Sequence, residues 1–237
     1  MGSDELKIWL NHFEYHVARA QKVPEGVGDV LKPAESRLIA SSIAALERGA
    51  GASSPHLRSS HAAELERIFL LLLTEERHHA SALRAFMQDH RISLKAPTLV
   101  IFRRLRRWRG LQQHLRAGLC TGLIGIVYYR ALASVTRCER LNVLCRRIVA
   151  DELASVAFQS QLLLSLRSEV APPLKVAANL ADRAMFLVAA TRVWCTHGRV
   201  LRRAGYSAGA FIGACLEQYA FYLAGPRIDR AAHTTRI

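Results

Sequence analysis

Along residues 65–86 the chain repeats a single spacing. Leu65, Phe69, Leu72, Glu76, His79, Leu83 and Phe86 follow one another at intervals of four and three. That spacing lays one stripe along a helix and predicts a long helix from about His56 to His90, its inner face interrupted by two polar residues. The same period predicts helices over Asp4 to Gln21 (Ile8, Leu10, Phe13, Val17), Ala34 to Gly49 (Leu38, Ile39, Ile43, Leu46) and Phe102 to Ala133. It also predicts Glu139 to Arg167, with Leu141, Cys145, Ile148, Glu152, Ser155, Leu162 and Leu166 on one stripe. Pro172 and Pro173 open a further helix to about Arg203, Gly205 ends it, and Ser207 to Leu223 forms a last short one. Loops are expected where Pro24, Gly26, Gly28 and Pro33 cluster, at Gly49 to Pro55, and over 91–101 around Pro97. No stretch sustains strand alternation and no solenoid repeat is evident. The expectation is an all-α chain forming a single domain over 1–237.

Charge sharpens this picture. The formal net charge is +14. Residues 91–150 hold thirteen basic residues against Glu139 alone, so the rest of the chain, with 20 basic and 18 acidic residues, adds only +2. The densest piece is Arg103, Arg104, Arg106, Arg107 and Arg109, wound around Phe102, Leu105 and Trp108. Two readings stay open: a basic amphipathic surface for an anionic partner, or a solvated helix start whose arginines pair with acids elsewhere. The segment points to an acidic protein or nucleic-acid partner through 91–150, with an anionic membrane surface as a third choice. No uncharged apolar run reaches the ~18 residues of a membrane span; the longest, Ala117 to Tyr129, stops at Arg130. No transmembrane segment is therefore expected. Five cysteines without a C-x-x-C pair, and an N-terminus lacking a basic leader pattern, lead to the expectation of reduced thiols in the cytoplasm. Phosphate-loop and zinc-protease motifs are missing.

The chemistry-bearing positions are few. Glu76-Arg-His-His79 places a carboxylate and an imidazole three apart on the long helix, so both face one locus. In an apolar setting such groups are costly unless paired or metal-bound. Glu75 and His78 share the spacing but are expected one step around, nearer the polar side. Glu152 is the second anomaly, an acid between Ile148 and Leu162 on another inner stripe, with Ser155 three residues on. Its alternative reading is a buried carboxylate paired with an arginine.

The helix order, Glu76-x-x-His79, Asp151-Glu152 and the 76-residue interval between Glu76 and Glu152 resemble the ferritin-like superfamily, as do Val127-Tyr-Tyr-Arg-Ala-Leu132, Cys145-Arg-Arg-Ile-Val-Ala-Asp-Glu152 and Val200-Leu-Arg-Arg-Ala-Gly-Tyr206. The resemblance runs from about Ala34 to Leu223. It implies a four-helix bundle over 34–168, preceded by one extra helix and followed by a C-terminal helical pair over 172–224 packed on its outside. Phe186, Leu187, Val193, Trp194, Phe211, Ile212, Tyr219 and Phe221 of that pair should then leave water. In that superfamily the bundle holds two irons with carboxylates and E-x-x-H pairs. Here Glu76, His79 and Glu152 match metal ligands. Ser155 stands where a histidine belongs and Gly122 where the third helix should offer an acid. Glu47 is the only substitute for an acid near the end of the first bundle helix. Gly122, Ser155 and Tyr129 are expected to line the site, the two small residues leaving a polar cavity or water site.

Three ligands cannot serve two irons. Glu76, His79 and Glu152 suit one iron or manganese ion at most, in an arrangement like a facial triad; no metal at all is the alternative. The functional expectation is a relative of di-iron oxidases and oxygenases with a degenerate site, a metal-dependent oxidoreductase if it is an enzyme. The competing expectation is a non-catalytic ferritin-like bundle that binds or scaffolds through its basic surface.

Overall fold

The computed structural model describes residues 1–18, 31, 33–49, 62–92, 110–168 and 171–224. Its described residues form seven helices and no strand: α1 (Ser3–Ala18), α2 (Pro33–Gly49), α3 (Ala62–Asp89), α4 (Leu111–Val135), α5 (Glu139–Arg167), α6 (Pro172–Arg203) and α7 (Ala208–Ala224). The all-α expectation holds. Most of the loops expected over 22–34, 49–55 and 91–101, and all of Arg103 to Arg109, lie outside the described residues, as does the side chain of Glu47.

The chain divides into two compact units, and the division does not follow chain order. The first comprises Met1–His114 and Thr136–Cys145, the second Leu115–Val135 and Arg146–Ile237. In the first, α1 and α2 pack on α3. Leu6 and Phe13 of α1, Ile39 of α2 and Leu65, Ile68, Phe69, Leu83 and Phe86 of α3 are buried. Glu35, in the first turn of α2, explains why residues from 136 onward join this unit. Its Oε1 accepts from the Thr136 hydroxyl at 2.5 Å and from the Arg137 N–H at 2.9 Å. Thr136 Oγ1 in turn accepts from the Cys138 N–H just ahead of α5, where helical N–H groups would otherwise lack partners. Helix α3 ends with Arg91 at φ 53° and Ile92 N–H bonded back to Met87 C=O at 2.8 Å, the left-handed stop usually given to glycine.

In the second unit α6 and α7 form a hairpin. Gly205 sits at φ +88°; its N–H returns to Arg202 C=O and the Tyr206 N–H to Leu201 C=O, a Schellman stop. Ser207 then caps α7, its Oγ accepting from the Ala210 N–H at 3.1 Å. Phe186 and Tyr219 pack with ring centres 4.8 Å apart. The expected burial of the pair is only partly met. Phe186, Val193, Phe211 and Tyr219 are buried and Trp194 and Ile212 half-buried, but Leu187 and Phe221 remain 39% and 48% exposed.

Helix α4 is long and apolar enough, by length and composition, to cross a membrane. Its apolar run lies between Arg116 and Arg130, and 61% of its most apolar stretch is buried within the protein. Against α5 it presents glycines. A methyl on Gly122 would lie 2.6 Å from Val156 Cγ2 and 2.8 Å from Glu152 Oε2. At Gly118, the Gln159 amide oxygen occupies the place a side chain would take. At Gly125, by contrast, the nearest atoms, on the Tyr129 ring, are 3.9 Å away.

The two positions should therefore answer oppositely to the same change. Gly125→Ala gains helix propensity, up to ~1 kcal/mol, at no steric cost. Gly122→Ala meets the stiff Val156 side chain, and overpacking of about 1–3 kcal/mol outweighs that gain. Denaturant unfolding should show the first variant at least as stable as the parent and the second less stable.

Candidate functional site

In the first unit the expected acid–imidazole face is present on α3, with its centre displaced. Glu75 is the buried member, at 8% exposure, while Glu76 and His79 are half-buried and His78 is exposed. At 100° per residue Glu76 falls about 20° from Leu65 and Glu75 about 80° to the other side, nearly in line with the buried Ile68, so the buried face is wider than the stripe and takes in Glu75. From α1, His16 brings a ring nitrogen within 4.8 Å of a Glu75 carboxylate oxygen. His16 also stacks on His12, ring centres 4.3 Å apart, and His12 packs edge-on to Trp9 and Phe13. The pair His12/His16 is thus part of an aromatic cluster, more enclosed than its place near a terminus suggests.

Glu152, Gly122, Ser155 and Tyr129 all lie in the second unit. Glu152 is brought against Gly122, but the expected cavity is not there: Glu152 Oε2 and Val156 Cγ2 fill the space that the absent side chain leaves. Ser155 Oγ accepts a 2.7 Å hydrogen bond from Gln159 Nε2, whose carbonyl oxygen presses on Gly118. Tyr129 is buried and packs edge-on to Tyr128, 5.5 Å between ring centres. The space beside Gly118 and Gly122 of α4 is thus filled by Gln159, Glu152 and Val156 of α5.

The most strongly buried charge in this unit is one the sequence reading did not single out. Asp182 of α6 is 4% exposed. It pairs with Arg167 Nη2 from α5, and Arg167 Nη1 donates to Asn179 Oδ1 at 3.0 Å. Arg116 of α4 places Nε 3.2 Å from Asp182 Oδ1 without aligning its N–H, so that contact is an ion pair and not a hydrogen bond. Two guanidiniums thus share one carboxylate. Burial, reinforced by this carboxylate, pushes the Cys120 thiol and the Tyr219 hydroxyl up to about 12, so both stay protonated. A signal was available: Asp182, Phe186, Ala189, Val193 and His197 continue one stripe at helical spacing. His197 is 2% exposed and packs on Tyr128, 4.7 Å between ring centres. Burial lowers its pKa to about 4 and keeps it neutral at pH 7.

No family model, curated protein or solved structure matches the chain.

The described part of the basic stretch 91–150 is partly neutralised. Arg116 pairs with Asp182, Arg140 with Asp89 at 2.5 Å, and Arg147 lies 3.9 Å from Asp151. All three acids fall outside 91–150, which is why counting acids within that window exaggerates its free charge. Arg91, Arg130, Arg137 and Arg146 are exposed.

Two measurements bear on these buried groups. Asp182→Asn leaves the buried Arg167 and the half-buried Arg116 without their counter-charge and should cost about 3 kcal/mol in denaturant unfolding. The His197 effect is a matter of pH. The unfolded chain binds a proton at this residue near its ordinary 6.5, the folded chain only near 4, so the unfolded state holds more protons between these values. Stability should fall as pH drops through that window, by up to ~1.4 kcal/mol per unit, and His197→Gln should flatten that part of the profile.

Proposed function

We propose that the chain is a ferritin-like helical protein whose acid–imidazole face on α3 holds one divalent metal. The observation that carries the proposal is Glu75, buried on the inner face of α3 with the His16 imidazole within 4.8 Å. Glu76 and His79, half-buried on the same helix, extend the donor set. Carboxylate oxygens and imidazole nitrogens suit iron or manganese. One metal is proposed and not two, because the resemblance calls for a further carboxylate where Gly122 stands and no acid occurs between Gln112 and Glu139. A single metal of this kind, when bound, supplies oxygen or peroxide chemistry, which makes a metal-dependent oxidoreductase the reading of choice. What the protein itself supplies is an apolar neighbourhood for Glu75, with Leu71, Leu72 and Ile68 buried on the adjoining turns of α3.

Elemental analysis of the full chain, purified without chelator and then loaded anaerobically with Fe(II) or Mn(II), tests the proposal. One equivalent is expected, together with a rise in melting temperature that grows with free metal concentration. Glu75→Gln should lower the metal content and remove the thermal response. Two bound metals, or none after loading, would overturn the reading.

A further inference from the structure

We propose that the outward face of α6 between Val176 and Val188 docks on an anionic lipid surface. At 100° per residue, the positions facing away from the buried stripe are Val176, Ala177, Leu180, Ala181, Ala184, Leu187 and Val188. None is charged, and all are exposed: Val176 59%, Leu180 61%, Val188 58% and Leu187 39%. Single exposed apolar residues are ordinary. An unbroken strip about 18 Å long by helical rise is the pattern of a helix that lies on an interface.

The charges of α6 select the occupant. Arg183 and Arg192 fall one on each side of the strip, where long cationic side chains reach headgroups while their stems cover apolar surface. Arg199, Arg202 and Arg203 follow at the C-terminal end. The only acid on the helix is Asp182, buried and held by Arg116 and Arg167, so the outward charge of α6 is all positive. A second copy would set these arginines against their own kind. A nucleic acid offers phosphates to the arginines and nothing to the leucines. An anionic bilayer surface satisfies both, taking the apolar strip at the headgroup–acyl boundary and the arginines at its phosphates. The proposal does not rest on the metal reading.

Flotation of the full chain with vesicles tests it, using phosphatidylcholine alone and phosphatidylcholine mixed with phosphatidylglycerol. The protein should float with the mixed vesicles and not with the neutral ones, and added salt should weaken the binding. Leu180→Asp with Leu187→Asp should weaken binding at least roughly tenfold. Arg183→Gln and Arg192→Gln should each weaken it about fivefold. These side chains face water, so circular dichroism and melting temperature should match the parent, and the arginine variants keep the test open should the leucine pair disturb folding. The proposal is overturned if the chain floats with neither vesicle, or if the variants bind as well as the parent, which would place the contact elsewhere on the basic surface. It is equally overturned if sedimentation shows a concentration-dependent dimer that the leucine pair dissolves, since a second copy would then be the occupant.

Discussion

One carboxylate organises the second helical unit. Asp182 stands on α6, and the two arginines that meet it come from α4 and α5, so three helices are tied at one point inside the protein. Hydrophobic contacts are forgiving of small slides between helices; a shared buried carboxylate is not, because moving any one helix by a turn leaves a charge unmatched. With the register of α4 and α6 set there, Cys120 and Tyr219 are held close to the carboxylate, and Tyr128 meets His197 further along α6. The cluster carries one positive charge more than it can cancel internally. Such a centre specifies an arrangement more than it strengthens it.

The glycine face of α4 works in the opposite manner, through the absence of side chains. Gly118 and Gly122 let α5 approach until Gln159, Glu152 and Val156 fill the room. A helix of a metal-binding bundle needs space between its members for ions, water and substrate. Here that space is spent on contact, and Glu152, whatever else it does, serves as a packing partner of Gly122. The acid–imidazole groups Glu75, Glu76 and His79 of α3 belong to the first unit together with His16 of α1.

Element boundaries were readable because their signals are local. Glu139 to Arg167 and Pro172 to Arg203 appear as expected, one opened by two prolines and closed by Gly205, whose positive φ only glycine adopts without strain. Which face of a helix is buried was less secure. The stripe through Glu76 passed over Glu75, which shares a buried flank with Ile68, because one line of positions under-draws a face more than ~100° wide. Asp182 was hidden for another reason. Its partners Arg116 and Arg167 are 66 and 15 residues away in the chain, and no spacing rule connects them. Leu187 and Phe221 were expected to leave water on the strength of their hydrophobicity, yet α6 turns its Leu187 side outward. A one-dimensional pattern identifies an apolar face and not its cover.

The bond between Glu35 and Thr136 has a bearing on how the protein is made. A ribosome delivers residues in order, and the first unit lacks its last segment until Cys145 has emerged. In the meantime Leu115–Val135, most of a helix long and apolar enough to cross a membrane, is already outside and belongs to a unit whose other helices are not yet synthesised. The Glu35 carboxylate must wait one hundred residues for its hydroxyl, and loop closure over that distance is slow relative to forming any single helix. The interleaving of the two units thus means that α4 is made before any of the helices that complete its own unit.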